Sequence, residues 1–297
     1  MAKNLRTKIP PSDTLIVCDI DASATAKFVQ EVTDGSSKLD IQVAKNAREL
    51  AEKSETIICS LPGPESVKVV FGSILAGPVP PQLGKERLFI DCSTIDLRTS
   101  HDVAQAVISS GLGQFVDAPM SGGVVGAQTA SLTFMFGASA SPQLIDRVRS
   151  VLLLMGKNVW HLGVQGAGLV GKLTNNYLLA INNIATAEAM NLGIKCGVDP
   201  KVLSDMINSS TGRCWPSAVN NPVPGVTEAA PASRNYEGGF GIHLMKKDLK
   251  LAMDVAEELR VPLSLAENAM ELYKQTEKKH QRKDFSVVYQ YIASQSS

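Results

Sequence analysis

Across the first 162 residues, apolar β-branched runs alternate with segments of helical spacing, and this alternation restricts the fold more than any other feature of the chain. The runs are 14–20, 56–61, 87–93, 113–120, 131–137 and 158–162. Helical spacing lies between most of them, as in ASATAKFVQEV (22–32), NARELAEK (46–53) and LRTSHDVAQAVISSG (97–111). Apolar strands joined by helices of this length build βαβ units and a mainly parallel sheet covered on both faces. The expectation for residues 1–162 is a doubly wound α/β nucleotide-binding domain of Rossmann-like type.

The character changes near Gly163. From Gly168 to Lys195 apolar residues spread around the helix and no breaker arrives before Cys196-Gly197, so the spacing predicts one long buried helix. Further helical segments at 200–210, 243–260, 264–279 and 284–293 predict an all-helical domain over residues 163–297, whose long apolar-sided helix suggests a role in oligomerisation. Between them the Pro- and Gly-rich stretch 215–241 is expected to be a long ordered loop or crossing segment.

Lys plus Arg and Asp plus Glu number 29 each, so the chain lacks the charge excess with which a protein holds nucleic acid or an anionic membrane surface. Small-molecule chemistry is the expectation. The basic run KKHQRK (278–283) contains no aromatic and reads as a solvated helix end. Five cysteines, odd in number and without a CxxC pair, point to a reducing compartment, and no metal site is expected. No apolar run approaches the roughly 20 residues that span a bilayer.

The only GxGxxG spacing, Gly166-Ala-Gly168-Leu-Val-Gly171, matches a dinucleotide fingerprint letter for letter. A long helix follows it, and no second strand ending in an acidic residue arrives, so these glycines read as the start of that helix. The fingerprint belongs before the strand ending at Asp19, where a ribose-binding carboxylate is expected. MAKNLRTKIPPSD, which stands there, contains no glycine. The sheet is therefore expected to be incomplete, with the chain beginning after the first strand and glycine-rich loop.

MAKNL resembles the segment that directly follows that loop in the β-hydroxyacid dehydrogenases. VDAPMSGG (116–123) resembles the family's substrate-binding motif, GVQGAGLVGKLTNN (163–176) its catalytic motif and LMKKDLKLA (244–252) its C-terminal cofactor motif. The resemblance covers essentially the whole chain. Within the family, NSSTGRCWPSAVNNPVPGV (208–226) and NYEGGF (235–240) are most similar to the branch that acts on 3-hydroxyisobutyrate. The resemblance thus implies NAD-dependent oxidation of that acid to methylmalonate semialdehyde in valine breakdown and a role for the helical domain in substrate binding, while the long apolar-sided helix suggests a homo-oligomer, dimer or tetramer. It also implies the mitochondrial matrix, although MAKNLRTKIPP is not itself a presequence; otherwise the cytoplasm is expected. Two alternatives stay open: a related dehydrogenase acting on tartronate semialdehyde, and an inactive homologue that keeps the fold as a binding module.

Alcohol oxidation by hydride transfer needs a base for the hydroxyl proton, a clamp for the substrate carboxylate and a held nicotinamide. Lys172 and Asn176 project from one face of the long helix, a turn apart. Burial and the helix N-terminal dipole favour a neutral Lys172 that takes the proton, with Asn176 bonding the ammonium or the substrate hydroxyl. Ser121-Gly122-Gly123 follows a strand end and can aim successive amides at a carboxylate. For the cofactor, matching to the family implies Leu61, Pro62, Ser66, Thr94 and Lys247. Asp19 favours NAD over NADP because a carboxylate repels a ribose phosphate.

Overall fold

The structure, a computed structural model, describes residues 1–33, 40–77 and 86–295. The chain falls into two units, Met1–Lys172 and Leu173–Ser297, which divide inside one long helix.

The first unit runs α1 (Ala2–Lys8), β1 (Thr14–Val17), α2 (Ala22–Thr33), β2 (Asp40–Val43), α3 (Ala47–Glu52), β3 (Thr56–Cys59), α4 (Pro64–Leu75), β4 (Arg87–Asp91) and α5 (Leu97–Ser109). It continues through β5 (Gly113–Asp117), β6 (Met120–Ser121), α6 (Gly123–Gln128), β7 (Leu132–Gly137), α7 (Pro142–Leu152) and β8 (Gly156–Gly163). Strands β3, β4 and β5 are parallel neighbours whose register sets Cys59, Asp91 and Asp117 side by side at their carboxyl ends.

Every residue of β4 is buried. Phe89 packs with Ile57 and Phe115 against Phe71 and Ile74 of α4 and Val103 and Val107 of α5. Leu88 and Ile90 join Val116, Phe134 and Phe136 against Val148 and Leu152 of α7. A strand covered on both faces has no solvent side to be polar, which is why this stretch reads as an unbroken apolar run. Of its two charged residues, Arg87 at the start is spent locally: its Nε donates to the Ala51 carbonyl (3.0 Å) and Nη2 to that of Glu52 (3.4 Å), closing the end of α3.

The helices begin where the sequence supplies caps. Asp96 accepts from Thr99 N (2.7 Å) at the start of α5, and Ser141 precedes Pro142 at the start of α7. Beyond β5 the sheet becomes mixed, since β5 and β6 both pair antiparallel with β7 while β8 pairs parallel with it. Strands β1 and β2 form a separate two-stranded parallel sheet, and among the described residues no strand joins it to β3. The N-terminal segment is a helix, with Met1 and Leu5 against the α7 side of the core.

The second unit consists of helices. Helix α8 (Ala167–Lys195) enters it from the first unit, followed by α9 (Pro200–Ser209), α10 (Trp215–Ala218), α11 (Ile242–Glu258), α12 (Ala266–Lys279) and α13 (Val288–Ser294). At 29 residues α8 is about 43 Å long. Ala180 and Ala187 of α8 pack with Met245 and Leu249 of α11 and with Met270 and Tyr273 of α12. Polar atoms are pinned inside this core: Asn183 Nδ2 donates to Tyr273 Oη (3.0 Å), which in turn donates to the Ala180 carbonyl (2.9 Å). The 215–241 stretch is an ordered crossing segment. Tyr236 Oη donates to the Pro222 carbonyl (2.8 Å), and buried Asp284 accepts from Asn220 Nδ2 (3.1 Å) and Phe240 N (2.7 Å). Among the described residues no helix is long and apolar enough to cross a membrane.

Candidate active site

Parallel strands that end together leave their following loops at one edge of the sheet, and ligands of such sheets bind there. After β3 comes Leu61-Pro62, whose Leu61 amide donates to Ser93 Oγ (2.9 Å) in the turn after β4. Ser93 is itself anchored, because its amide donates to the Asp91 carboxylate (3.0 Å). One buried acid therefore fixes both the Leu61-Pro62 turn and the turn that carries Thr94. Ser66 lies in the first turn of α4, which begins at Pro64 rather than at the serine.

The neighbouring acid, Asp117, organises the other side of the edge. Only 1% exposed, it accepts from the Gly166 amide (2.6 Å) on one carboxylate oxygen and from the Leu169 amide (2.9 Å) on the other. The orphan amides at the start of α8 are thus satisfied by a protein carboxylate. Burial pushes the Asp117 carboxyl up to about 6, against the lowering effect of those two hydrogen bonds. Burial also raises Asp91. The GAGLVG segment accordingly cannot cradle a pyrophosphate: a phosphate would have to displace Asp117. Its glycines serve a different need, since a Cβ at Gly168 would lie 2.5 Å from the Met135 carbonyl oxygen.

Five residues further along α8 from Ala167, Lys172 is 6% exposed, and its Nζ donates to Ser121 Oγ (3.2 Å) at the end of β6. Gly122 and Gly123 follow with φ of 128° and 60°, conformations that suit glycine, and lead into α6. A buried amine, a hydroxyl and two exposed glycine amides at one turn form an arrangement able to hold a small carboxylate beside a proton-transfer group.

In the second unit Asn176, also on α8 and one turn beyond Lys172, is buried. Its Nδ2 donates to Asp248 Oδ2 (2.5 Å), and its Oδ1 accepts from Asn175 Nδ2 (3.0 Å). Asp248, on α11, forms an ion pair through its other oxygen with Lys247 (3.2 Å). The carboxamide expected to bond Lys172 or a substrate hydroxyl is therefore engaged with a buried carboxylate.

Of the residues expected from the sequence, the structure brings Lys172 to Ser121, Leu61 to the Ser93-Thr94 turn, and Lys247 and Asn176 to a common Asp248. Asp19 stands apart, exposed two residues beyond β1, where its carboxylate accepts from the Asp21 amide (2.9 Å). Three residues organise the site in roles the sequence did not assign to them: Asp117 and Asp248, which lie inside the quoted family motifs, and Asp91. Each is an acid in an otherwise apolar strand or on the apolar face of a helix, which is a signal to look for a buried partner. Thiolate chemistry at Cys59 and Cys92 is disfavoured, because burial pushes both thiols well up.

A nicotinamide dinucleotide fits this edge in part. The strand-end turns at Leu61-Pro62 and Ser93-Thr94 suit its nicotinamide half, and exposed Asp19 suits an adenosine ribose. No glycine-rich turn free to take its diphosphate occurs among the described residues, the single GxGxxG match being closed by Asp117.

Residues 1–163 match a family model described as the NAD binding domain of 6-phosphogluconate dehydrogenase. Residues 166–292 match one described as NAD-binding of NADP-dependent 3-hydroxyisobutyrate dehydrogenase. The chain is 41% identical to the mitochondrial 3-hydroxyisobutyrate dehydrogenase of Rattus norvegicus, over 100% of this chain and 84% of the relative. Identity to the 3-hydroxyisobutyrate dehydrogenase of Pseudomonas aeruginosa is 39%, over 92% of this chain and 88% of that one. A solved structure of the Mycobacterium tuberculosis 3-hydroxyisobutyrate dehydrogenase with L-serine superposes with a TM-score of 0.84 at 32% identity, covering 98% of this chain and 94% of the other.

Proposed function

The chain belongs to the 3-hydroxyisobutyrate dehydrogenase family, and from that premise we propose that it oxidises 3-hydroxyisobutyrate to methylmalonate semialdehyde with NAD, a step of valine breakdown. The observation that carries the reading is the buried Lys172 amine within hydrogen-bond reach of Ser121 at the Ser-Gly-Gly turn. Ser121, Gly122 and Gly123 hold the substrate carboxylate, which places the C3 hydroxyl beside Lys172. Lys172 takes the hydroxyl proton in oxidation and returns it in reduction. Bound NAD supplies the two-electron acceptor for the hydride leaving the alcohol carbon. Leu61, Pro62, Ser66, Thr94 and Lys247 hold that cofactor, and Asp19 selects the unphosphorylated ribose. Asn176, fixed by Asp248, keeps a polar group one turn from Lys172 on the helix. L-serine, present with the Mycobacterium relative, is likewise a 3-hydroxy acid, which supports the substrate class.

In this reading residues 1–162 bind the nucleotide and 163–297 complete the substrate side. Exposed Leu178 and Leu192 of α8, with Val202 and Met206 of α9, support a homo-oligomer, dimer or tetramer. The rat and human relatives are named mitochondrial, which supports a mitochondrial location; the matrix in particular is the expectation from the resemblance. Substrate profiling tests the assignment: kcat/KM with NAD should be highest for 3-hydroxyisobutyrate among small 3-hydroxy acids. A preference for the tartronate semialdehyde couple would reassign the chain within its superfamily.

A further inference from the structure

The Lys172–Ser121 contact is one side of a closed ring. Ser121 is joined through three residues of chain, Ala118 to Met120, to Asp117, whose carboxylate grips the Gly166 and Leu169 amides. Leu169 then leads along α8 to Lys172, whose Nζ returns to Ser121 Oγ. We propose that Asp117 is a positioning residue of the active site, its carboxylate fixing the axial and rotational setting of the first turn of α8 and thereby the place of Lys172.

The anchor itself cannot move. The Asp117 backbone is held in register with Asp91 on one side and Gly137 on the other, and its side chain is buried. The space around the carboxylate is filled as well: a Cβ at Gly137 would lie 2.7 Å from Asp117 Oδ1, and one at Gly168 would lie 2.8 Å from Oδ2. Glycine at both positions is what lets a strand end and a helix start close on the same carboxylate. The grip is two-pronged, with one amide on each oxygen, so it resists both sliding and rotation of the helix start. An ordinary N-cap takes one or two amides from its own helix through the residue just before it. Here the cap comes from 49 and 52 residues away and lies on the segment that carries the substrate turn.

At 3.2 Å the Lys172–Ser121 contact lies at the outer limit of a hydrogen bond, so an ångström of drift breaks it. Drift of that size at a catalytic group costs on the order of 100-fold in rate. Asparagine at position 117 keeps the shape but offers one acceptor where two amides point. It therefore releases one prong without emptying the site.

The inference rests on the reading of Lys172 as the proton-transfer group, and a double-mutant cycle separates the two. The four full-length proteins are the unmutated chain, Asp117→Asn, Lys172→Ala and the double variant, each assayed for NAD-dependent oxidation of 3-hydroxyisobutyrate. Asp117→Asn should lower kcat on the order of 10- to 100-fold, with KM for the hydroxy acid changed by less than about threefold. Added to Lys172→Ala it should cost nothing further, because the group it positions is gone. An equal loss in both backgrounds overturns the inference and leaves the Lys172 reading standing. Full turnover in Lys172→Ala overturns both. Should Asp117→Asn fail to fold, amide hydrogen exchange in the unmutated protein decides: the Gly166 and Leu169 amides should exchange as slowly as the interior of α8. Exchange at the rate of an open loop would show that the carboxylate does not hold the helix.

Discussion

Gly168→Ala should be strongly destabilising, although alanine is the better helix former. In an exposed helix interior the exchange gains about 1 kcal/mol. At position 168 the new Cβ would lie 2.5 Å from the Met135 carbonyl oxygen, 2.9 Å from Phe136 Cα and 2.8 Å from Asp117 Oδ2. Two of the three are β7 backbone, so relief requires α8 to back away from the sheet. That movement stretches the two amide bonds to Asp117, and hydrogen bonds to a charged acceptor are worth roughly 1.5 to 3 kcal/mol each. Overpacking adds about 1 to 3 kcal/mol. With the propensity gain offset, the net loss is about 2 to 4 kcal/mol, or roughly 5 to 15 °C in the melting temperature of a unit this size. Gly171→Ala is the internal control, one turn along the same helix. Its Cβ would press on Leu162 Cδ1, the far end of a side chain that can change rotamer. Thermal and urea unfolding of the two variants beside the unmutated chain should place Gly171→Ala near neutral and Gly168→Ala far below it. Equal stability of the two alanine variants would refute the argument that β7 and Asp117 meet α8 too closely for a side chain.

Three further outcomes follow from the same geometry. Replacing Arg87 by Met should cost about 2 to 4 kcal/mol, because the buried guanidinium satisfies the last carbonyls of α3, and urea midpoints would register it. In the unfolded chain the Asp117 carboxyl ionises near pH 4, whereas burial holds it protonated to about 6 in the fold. Between those values the native state binds more protons. Stability contributed by this group is therefore full below about pH 4 and falls by about 3 kcal/mol as pH rises to 6 and beyond, a slope that Asp117→Asn should flatten in pH-dependent unfolding. Asp19→Ala should narrow the preference for NAD over NADP in steady-state kinetics, and equal efficiency of the two cofactors in the unmutated chain would remove Asp19 from the cofactor site.

The architecture was legible wherever burial on both faces forces a composition. Strand β4 could be read because the centre of a strand covered on both faces is apolar, and the long helix α8 because apolar residues recur all along it with no breaker before Cys196-Gly197. The short β2 strand, DIQV, escaped because its polar residues give it no apolar run. The first strand was drawn too long, to Ile20, because Ile20 is apolar in sequence yet fully exposed in the fold, with β1 ending at Val17. At the site, helical spacing placed Lys172 and Asn176 on one face but was silent about their partners. Ser121 is 51 residues from Lys172, and Asp248 is 72 from Asn176, so no local pattern links them. The same distance hid Asp117. The GAGLVG segment was recognisable as a helix start from the missing second strand, but the reason its amides are closed to phosphate lies in a carboxylate on another element.

Whether Lys172 transfers the substrate proton is decided by the turnover of Lys172→Ala with 3-hydroxyisobutyrate and saturating NAD, followed by NADH absorbance, beside calorimetric NAD affinity. With the proton acceptor gone, kcat should fall by about 100-fold or more, the scale of a lost general acid–base group, with NAD affinity essentially unchanged. A folded Lys172→Ala variant that keeps more than about a tenth of the unmutated turnover would contradict that role.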